Sequence, residues 1–301
     1  MDSKSIALIR HYHGYTGGHQ KVHDYLTHFV AMGWRPSLYL SNKAKTNKTL
    51  FENMTGVNYQ ENFNPDGADV VFLAGMDWQH YLPIKSSEKP VINLIQHVRH
   101  ADKSEALFAF LKEPAIRLCV SDAIKKAIEP FANGPCHVIK MGHKFERLSV
   151  RRSNDVYILA NKQPQLGKSI YNWAKDRGFS TILHDSTQEK ELVTKAMAMS
   201  AVTVALPNKT EGFYLPGIEA MFYSKQAVVP YCVANKEYFY NTSNLIMPDY
   251  TEDNIKSAIL RSMRLGPIES SIRKFIGKKI ARQYSLQNER KALSACLSKY
   301  F

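Results

Sequence analysis

Residues 201–221 read Ala-Val-Thr-Val-Ala-Leu-Pro-Asn-Lys-Thr-Glu-Gly-Phe-Tyr-Leu-Pro-Gly-Ile-Glu-Ala-Met. Val202–Leu206 is a short apolar run, the pattern of a strand covered on both faces. Pro207 ends it and a polar loop follows. A helix is expected over Pro216–Tyr223, with proline in the first turn, where its missing amide hydrogen is no loss. A strand that passes through a loop into a helix aims the first helical amides back at the strand end, and a phosphate binds well there. Glu211 on the loop and Glu219 on the helix stand eight positions apart, so both carboxylates are expected to face one ligand lying across the helix start.

Outward from this unit the chain repeats one rhythm. Downstream, Ala227–Tyr231 and Leu245–Met247 read as strands and Glu252–Met263 as a helix, and Ala281–Phe301 reads as one or two helices. Upstream, Val156–Ala160 and Thr181–His184 read as strands, with helices over Lys168–Arg177 and Gln188–Met199. The first half has strands at Ser5–Tyr12, Pro36–Ser41, Asp69–Gly75, Pro90–Gln96, Ile116–Val120 and His137–Lys140. Its helices fall over Gly18–Met32, Ser104–Leu111 and from Ser121, whose hydroxyl suits an N-cap. Strands alternating with crossover helices mean parallel sheets covered on both faces. The basic stretch Lys144–Asp155 is the natural linker. The expected architecture is therefore α/β: two doubly wound, Rossmann-like domains facing a cleft, with ligands beyond the carboxyl ends of the strands.

The 301 residues suffice for two domains with a core each, and 44% hydrophobic residues put disorder aside. No apolar run approaches the ~18 residues of a membrane span. The opening Met1–Ser5 leads into a strand rather than a secretory leader, so a cytoplasmic protein is expected. Cys119, Cys136, Cys232 and Cys296 stand at no metal-ligand spacing and suggest no disulfide framework. A net charge of +13 fits nucleic acid, an anionic membrane, a phosphorylated substrate or a plain solvated surface. The cations concentrate at Arg147–Arg152 and Arg273–Arg282. No helix-turn-helix, RNP or zinc-finger pattern accompanies them, so no specific nucleic-acid partner is expected.

Tyr15-Thr16-Gly17-Gly18-His19 follows the first strand and opens a helix. Glycine there lets a phosphate approach the main chain where a Cβ would block it; a simple turn is the plain alternative. His97, beside Gln96 at a strand end, reads either as a ligand contact or as a structural histidine. Lys162 and Lys168 read as phosphate ligands or as surface lysines. His11, His13, His19 and His23 mix strand, loop and helix spacings, so no metal site is expected. No Asp-x-Asp stands at a strand end to hold a divalent ion.

Glu211–Met221 resembles the E-x7-E signature of family 4 retaining glycosyltransferases, with Tyr214 where that family usually has glycine. Tyr15–His19 is similar to the family's glycine-rich loop and Gln96-His97 to its donor-sugar histidine. Val120–Lys125 and Val138–His143 resemble its strand-to-helix turn and the turn before its linker, and Glu237 falls at its donor-proximal glutamate. The resemblance covers nearly the whole chain in order. It implies a GT-B fold, with residues 1–146 as the acceptor-side domain, residues 147–283 as the nucleotide-sugar donor domain, and residues 284–301 as a C-terminal helix packing back on the first. It implies retaining transfer from a nucleotide-diphosphate sugar to a glycan or lipid-linked acceptor, the nucleotide sugar being a co-substrate, with no cofactor and no catalytic metal. On this resemblance Glu211, Lys168, Lys162 and His97 are catalytic, and Gly17, Gly18, Phe213, Tyr214, Leu215, Glu219 and His184 bind the donor. A lipid-linked acceptor together with the positive charge leads to an expected peripheral contact with an anionic membrane.

One region departs from the family. Ala160–Ser169 carries Lys162 where an arginine is usual, and the next strand–helix unit is missing. Thr181–Leu192 then matches either the family's loop near the nucleobase or the deleted unit. Three other readings stay open: a nucleotide-sugar epimerase of the same fold, a catalytically silent subunit of a polysaccharide assembly complex, and a nonspecific nucleic-acid binder.

Overall fold

In the first half the apolar runs pair as one parallel sheet of seven strands. These are β1 (Ser5–Arg10), β2 (Arg35–Leu40), β3 (Asn58–Gln60), β4 (Val70–Ala74), β5 (Val91–Ile95), β6 (Ile116–Cys119) and β7 (Cys136–Val138), in the order β3-β2-β1-β4-β5-β6-β7. The computed structural model describes residues 3–12, 14, 16–41, 50–85, 88–233 and 235–301; of the sequence candidates, His13 and Tyr15 lie outside them. The chain divides into two compact units, Met1–Met141 with Glu289–Phe301, and Gly142–Asn288.

The central strands β4 and β5 are buried along their whole length, as unbroken apolar runs require when helices cover both faces. The helices are α1 (Gly17–Ala31), α2 (Trp78–Tyr81), α3 (Ala106–Ala109) and α4 (Asp122–Ile128). Thr16 caps α1 by accepting from the His19 amide, and Ser121 caps α4 by accepting from the Ile124 amide. Strand order reverses between β1 and β4, the topological switch point of a doubly wound sheet. The final residues complete this unit. The Glu289 carboxylate, wholly buried, accepts from Lys21 Nζ at 3.0 and 3.1 Å, and His28 Nε2 stands 2.9 Å from it. Lys21 also pairs with Asp24 at 2.8 Å, so buried charges on α1 all have opposite partners, as burial demands.

The second unit holds β8 (Asn154–Leu159), β9 (Thr181–His184), β10 (Ser200–Ala205), β11 (Gln226–Val228) and β12 (Leu245–Ile246), parallel and ordered β12-β11-β10-β8-β9. Its helices are α5 (Pro164–Asp176), α6 (Lys190–Met199), α7 (Leu215–Tyr223), α8 (Glu252–Met263) and α9 (Pro267–Gln283), and α10 (Leu286–Leu297) follows. Val156, Ile158, Val202, Val204, Ile170 and Ile259 form its core. The switch point lies between β8 and β10. β9 pairs with β8 at the sheet edge and leads through α6 directly to β10, so Thr181–Leu192 occupies the second strand–helix position of this sheet.

Several elements differ from the sequence reading. α5 begins at Pro164 rather than Lys168, because proline sits well at a helix start. β11 stops at Val228, shortly before Pro230, which has no amide hydrogen for the ladder. The strand β3 and the helix α9 were not foreseen. β3 is short, polar and exposed, and α9 turns apolar residues outward, so neither shows the periodicity of a half-buried element.

Candidate functional site

The switch point of each sheet is crossed by an ion pair. In the first unit Arg10 ends β1. Its Nη1 donates to both oxygens of Asp77 at 2.9 and 2.8 Å and to the Ala74 carbonyl at 3.2 Å, and its Nη2 stands 3.1 Å from His19 Nδ1. Asp77 in turn accepts from the Ala74 amide at 2.8 Å. The turn that brings it round relies on Gly75, whose φ of +61° suits glycine. Burial raises the Asp77 pKa, and Arg10 opposes that shift. The pair thus ties the carboxyl ends of β1 and β4 together.

Around this tie stand the first-unit candidates. Gly17 and Gly18 open α1. Neither has a left-handed φ, and among the described residues an added Cβ would meet nothing within 4 Å at Gly17 and only ordinary contacts with Thr16 and Gln96 at Gly18. The described residues therefore demand glycine at neither position. His97 follows β5 and caps a short turn, its Nδ1 accepting from the Arg99 amide at 3.1 Å. That bond leaves Nε2 as the protonated nitrogen of the neutral ring. The ring of His11 lies 3.9 Å from that of His80.

In the second unit the turn after β8 carries Lys162 and the loop after β10 carries Glu211, and the two side chains form an ion pair across the switch point. Asn208 Nδ2 also reaches Glu211 at 3.4 Å, and Gln163 Nε2 donates to Asn208 Oδ1 at 3.2 Å. Lys162 remains 36% exposed at its side chain against 12% for Glu211, and its Nζ lies 5.8 Å from the centre of the Tyr214 ring. The turn is fixed from behind by Gly167 on α5, where a Cβ would collide with that of Ala160. Lys168, on the same helix, is mostly exposed and pairs with Asp185 at 3.3 Å.

The Glu211 loop is held by its aromatic residues. Phe213 packs on Tyr238 and Tyr284. Tyr214 is buried, and its carbonyl accepts from the Tyr238 hydroxyl at 3.2 Å. Leu215 is half-buried at the start of α7. No side-chain hydrogen bond caps α7 at Tyr214. Pro216 has no amide hydrogen and the Gly217 amide donates to the Tyr214 carbonyl at 3.1 Å, so the Leu215 amide is the donor at the opening of α7. Glu219 sits deeper on α7. It is 6% exposed, and His143 Nε2 stands 2.9 Å from its Oε1. The two glutamates therefore hold different partners. His184 ends β9 with Nδ1 2.9 Å from the Tyr157 hydroxyl. Burial lowers its pKa, with Asp185 acting in the opposite direction. Burial, then the Glu219 charge, raises that of Tyr157.

The sequence reading missed Arg10, Asp77, Asn208 and the Glu219 partner role of His143. The signals were present. An arginine closes an apolar strand, an aspartate stands three residues past another strand end, and an asparagine precedes Glu211 by three.

Two parallel α/β units, each with its own switch point, constitute the GT-B fold. Solved structures of that fold match along both chains. Sucrose-phosphate synthase from Thermosynechococcus elongatus has a TM-score of 0.76 at 9% identity, covering 98% of each chain. The HepE protein of Anabaena, in complex with UDP-glucose, has a TM-score of 0.73 at 12% identity, over 98% of this chain and 100% of that one. A glycosyltransferase from Rickettsia africae has a TM-score of 0.71 at 10% identity, over 99% of each. The sequence matches no protein-family model and no curated protein.

Proposed function

We propose that the chain is a retaining glycosyltransferase that takes a sugar from a nucleoside-diphosphate donor without a catalytic metal. The Lys162–Glu211 pair at the second switch point, beside the uncapped start of α7, carries this reading. Breaking the anomeric bond leaves negative charge on the diphosphate, and charge that develops in the transition state is best met by donors already in place. Lys162, Lys168 and the Leu215 amide at the opening of α7 are such donors. As Lys162 turns to the diphosphate, Glu211 is released to accept from the hydroxyls of the donor sugar. The resemblance gives Glu219 to the ribose, His184 to the donor, and Gly17, Gly18 and His97 to the donor's phosphates and sugar. A glycan or a lipid-linked sugar is the acceptor class that fits.

The test is a thermal-shift panel of UDP, GDP, dTDP and CMP sugars, since a ligand that binds the folded state raises its melting temperature. UDP-glucose leads the panel because HepE binds it. The sugar that shifts the melt is then incubated with acceptors and the anomeric configuration of the product read by NMR. An inverted product ends the retaining assignment, and a panel with no shift ends the donor assignment. One observation favours a second reading, a donor-binding subunit without turnover: Glu219 is buried against His143. A melt that shifts without hydrolysis or transfer of the donor selects that reading.

A further inference from the structure

Helix α9 presents apolar side chains to solvent along one line. Ile268, Ile272 and Phe275 are 78%, 56% and 71% exposed. Their spacing, i, i+4 and i+7, places them on one face of the helix, and the same face continues through exposed Lys279 and Arg282. The opposite face is fastened to the second unit. Ser270, Gly277, Ile280 and Ala281 are buried, and Lys274 Nζ donates to the Met221 and Phe222 carbonyls at 3.0 and 2.6 Å, closing the end of α7.

The two basic concentrations in the sequence meet beside this face. Phe145 stacks on Phe222 at 4.6 Å and Tyr223 accepts from the Glu146 amide at 3.1 Å, bringing the segment that carries Arg147 and Arg152 against α7. Lys278 Nζ lies 5.5 Å from the centre of the Phe222 ring. Burial, followed by the charges of Arg282, Arg152 and Arg147, lowers the Lys278 pKa. The acids nearby in sequence are already taken: Glu269 by Arg273 at 2.8 Å and Glu146 by Lys144 at 2.8 Å.

We propose that the exposed face of α9, with Arg147, Arg152 and Lys278 beside it, rests on an anionic lipid surface, with Ile268, Ile272 and Phe275 entering at headgroup depth. A helix lying in that plane needs one apolar line flanked by cations, and this one has both. A second copy is the poorer occupant, because a twofold contact would set the same cations against each other. The proposal is independent of the enzymatic reading.

The full chain is sedimented with vesicles of phosphatidylcholine alone and of phosphatidylcholine mixed with phosphatidylglycerol. Binding is expected only to the mixed vesicles and is expected to fall as salt is raised. Each lysine or arginine near such a surface strengthens binding about fivefold, so Lys278→Glu, Lys279→Glu and Arg282→Glu together are expected to abolish it. Ile272→Ser with Phe275→Ser is expected to weaken binding at least about tenfold at unchanged net charge. A charge-matched control, Lys103→Glu with Lys112→Glu and Lys126→Glu on the other unit, is expected to keep most of it. Unchanged melting curves show that the variants are folded. Equal binding to both vesicle types, or equal loss in the control, overturns the proposal. So does self-association of the wild type that the serine variant removes in the absence of vesicle binding.

Discussion

The two switch points hold the same topological position and are crossed by opposite kinds of ion pair. In the first unit Arg10 grips both oxygens of Asp77 and a carbonyl as well, and both side chains are largely buried. In the second, Lys162 holds one oxygen of Glu211 and keeps a third of its side chain in solvent. A buried guanidinium pair fixes strand ends, since separating it strands a charge away from water. A lysine is a mobile point charge, and a partly exposed pair is worth little to the fold. The first crossing is expected to act as scaffold and the second to be free to exchange partners.

The largest expected effect tests the scaffold. Asp77→Ala, leaving Arg10 without its carboxylate, is expected to cost about 3–5 kcal/mol in urea unfolding; a loss below about 1 kcal/mol would make the two crossings alike. Lys162→Ala is expected to behave in the opposite way. Turnover should fall about 10²–10³-fold, equivalent to about 2.7–4 kcal/mol in the barrier, while the melting temperature holds. A melt that drops with the activity would show the lysine to be scaffold too.

A pH measurement sharpens the first side of the comparison. His100, in the turn capped by His97, has its pKa lowered from 6.5 to about 4 by burial first and then by the charges of Arg99, His97 and Arg117. Between these values the unfolded chain binds the proton that the folded chain refuses, so stability is full above about 6.5 and is lost as pH falls toward 4. The loss is about 3 kcal/mol. His100→Asn is expected to remove that share of the slope, and identical slopes for variant and wild type would refute it.

The smallest effects come from glycine. Gly167→Ala pushes α5 off the Lys162 turn and is expected to cost about 1–3 kcal/mol. Gly18→Ala, with room for its methyl group, is expected to change stability by less than about 0.5 kcal/mol. If the two cost the same, the first unit's loop is packed as tightly as the second's turn.

This contrast marks where the sequence could be read. Strand–helix alternation made both sheets legible, because burial on two faces writes itself as unbroken apolar runs such as Val202–Leu206. Glu211 stood out with Glu219 eight positions further on across a strand–loop–helix turn, and Lys162 only through the resemblance to family 4 glycosyltransferases. The partners were harder to see, since Arg10 with Asp77 and Glu219 with His143 are joined by the crossing of strands, and sequence distance carries no trace of that. Helix α9 escaped for the opposite reason. Its apolar residues face outward, so the pattern that reveals a packed helix is absent.

The buried Glu289 has a consequence for how the protein is made. The first unit includes residues 289–301, which are made after residues 142–288, whereas residues 142–288 form an uninterrupted stretch. During synthesis the second unit has all its residues before the first does, and Lys21 and His28 wait for their carboxylate until residue 289 has been made. Cutting the chain between residues 141 and 142 would leave the first product without helix α10 and its Glu289 carboxylate.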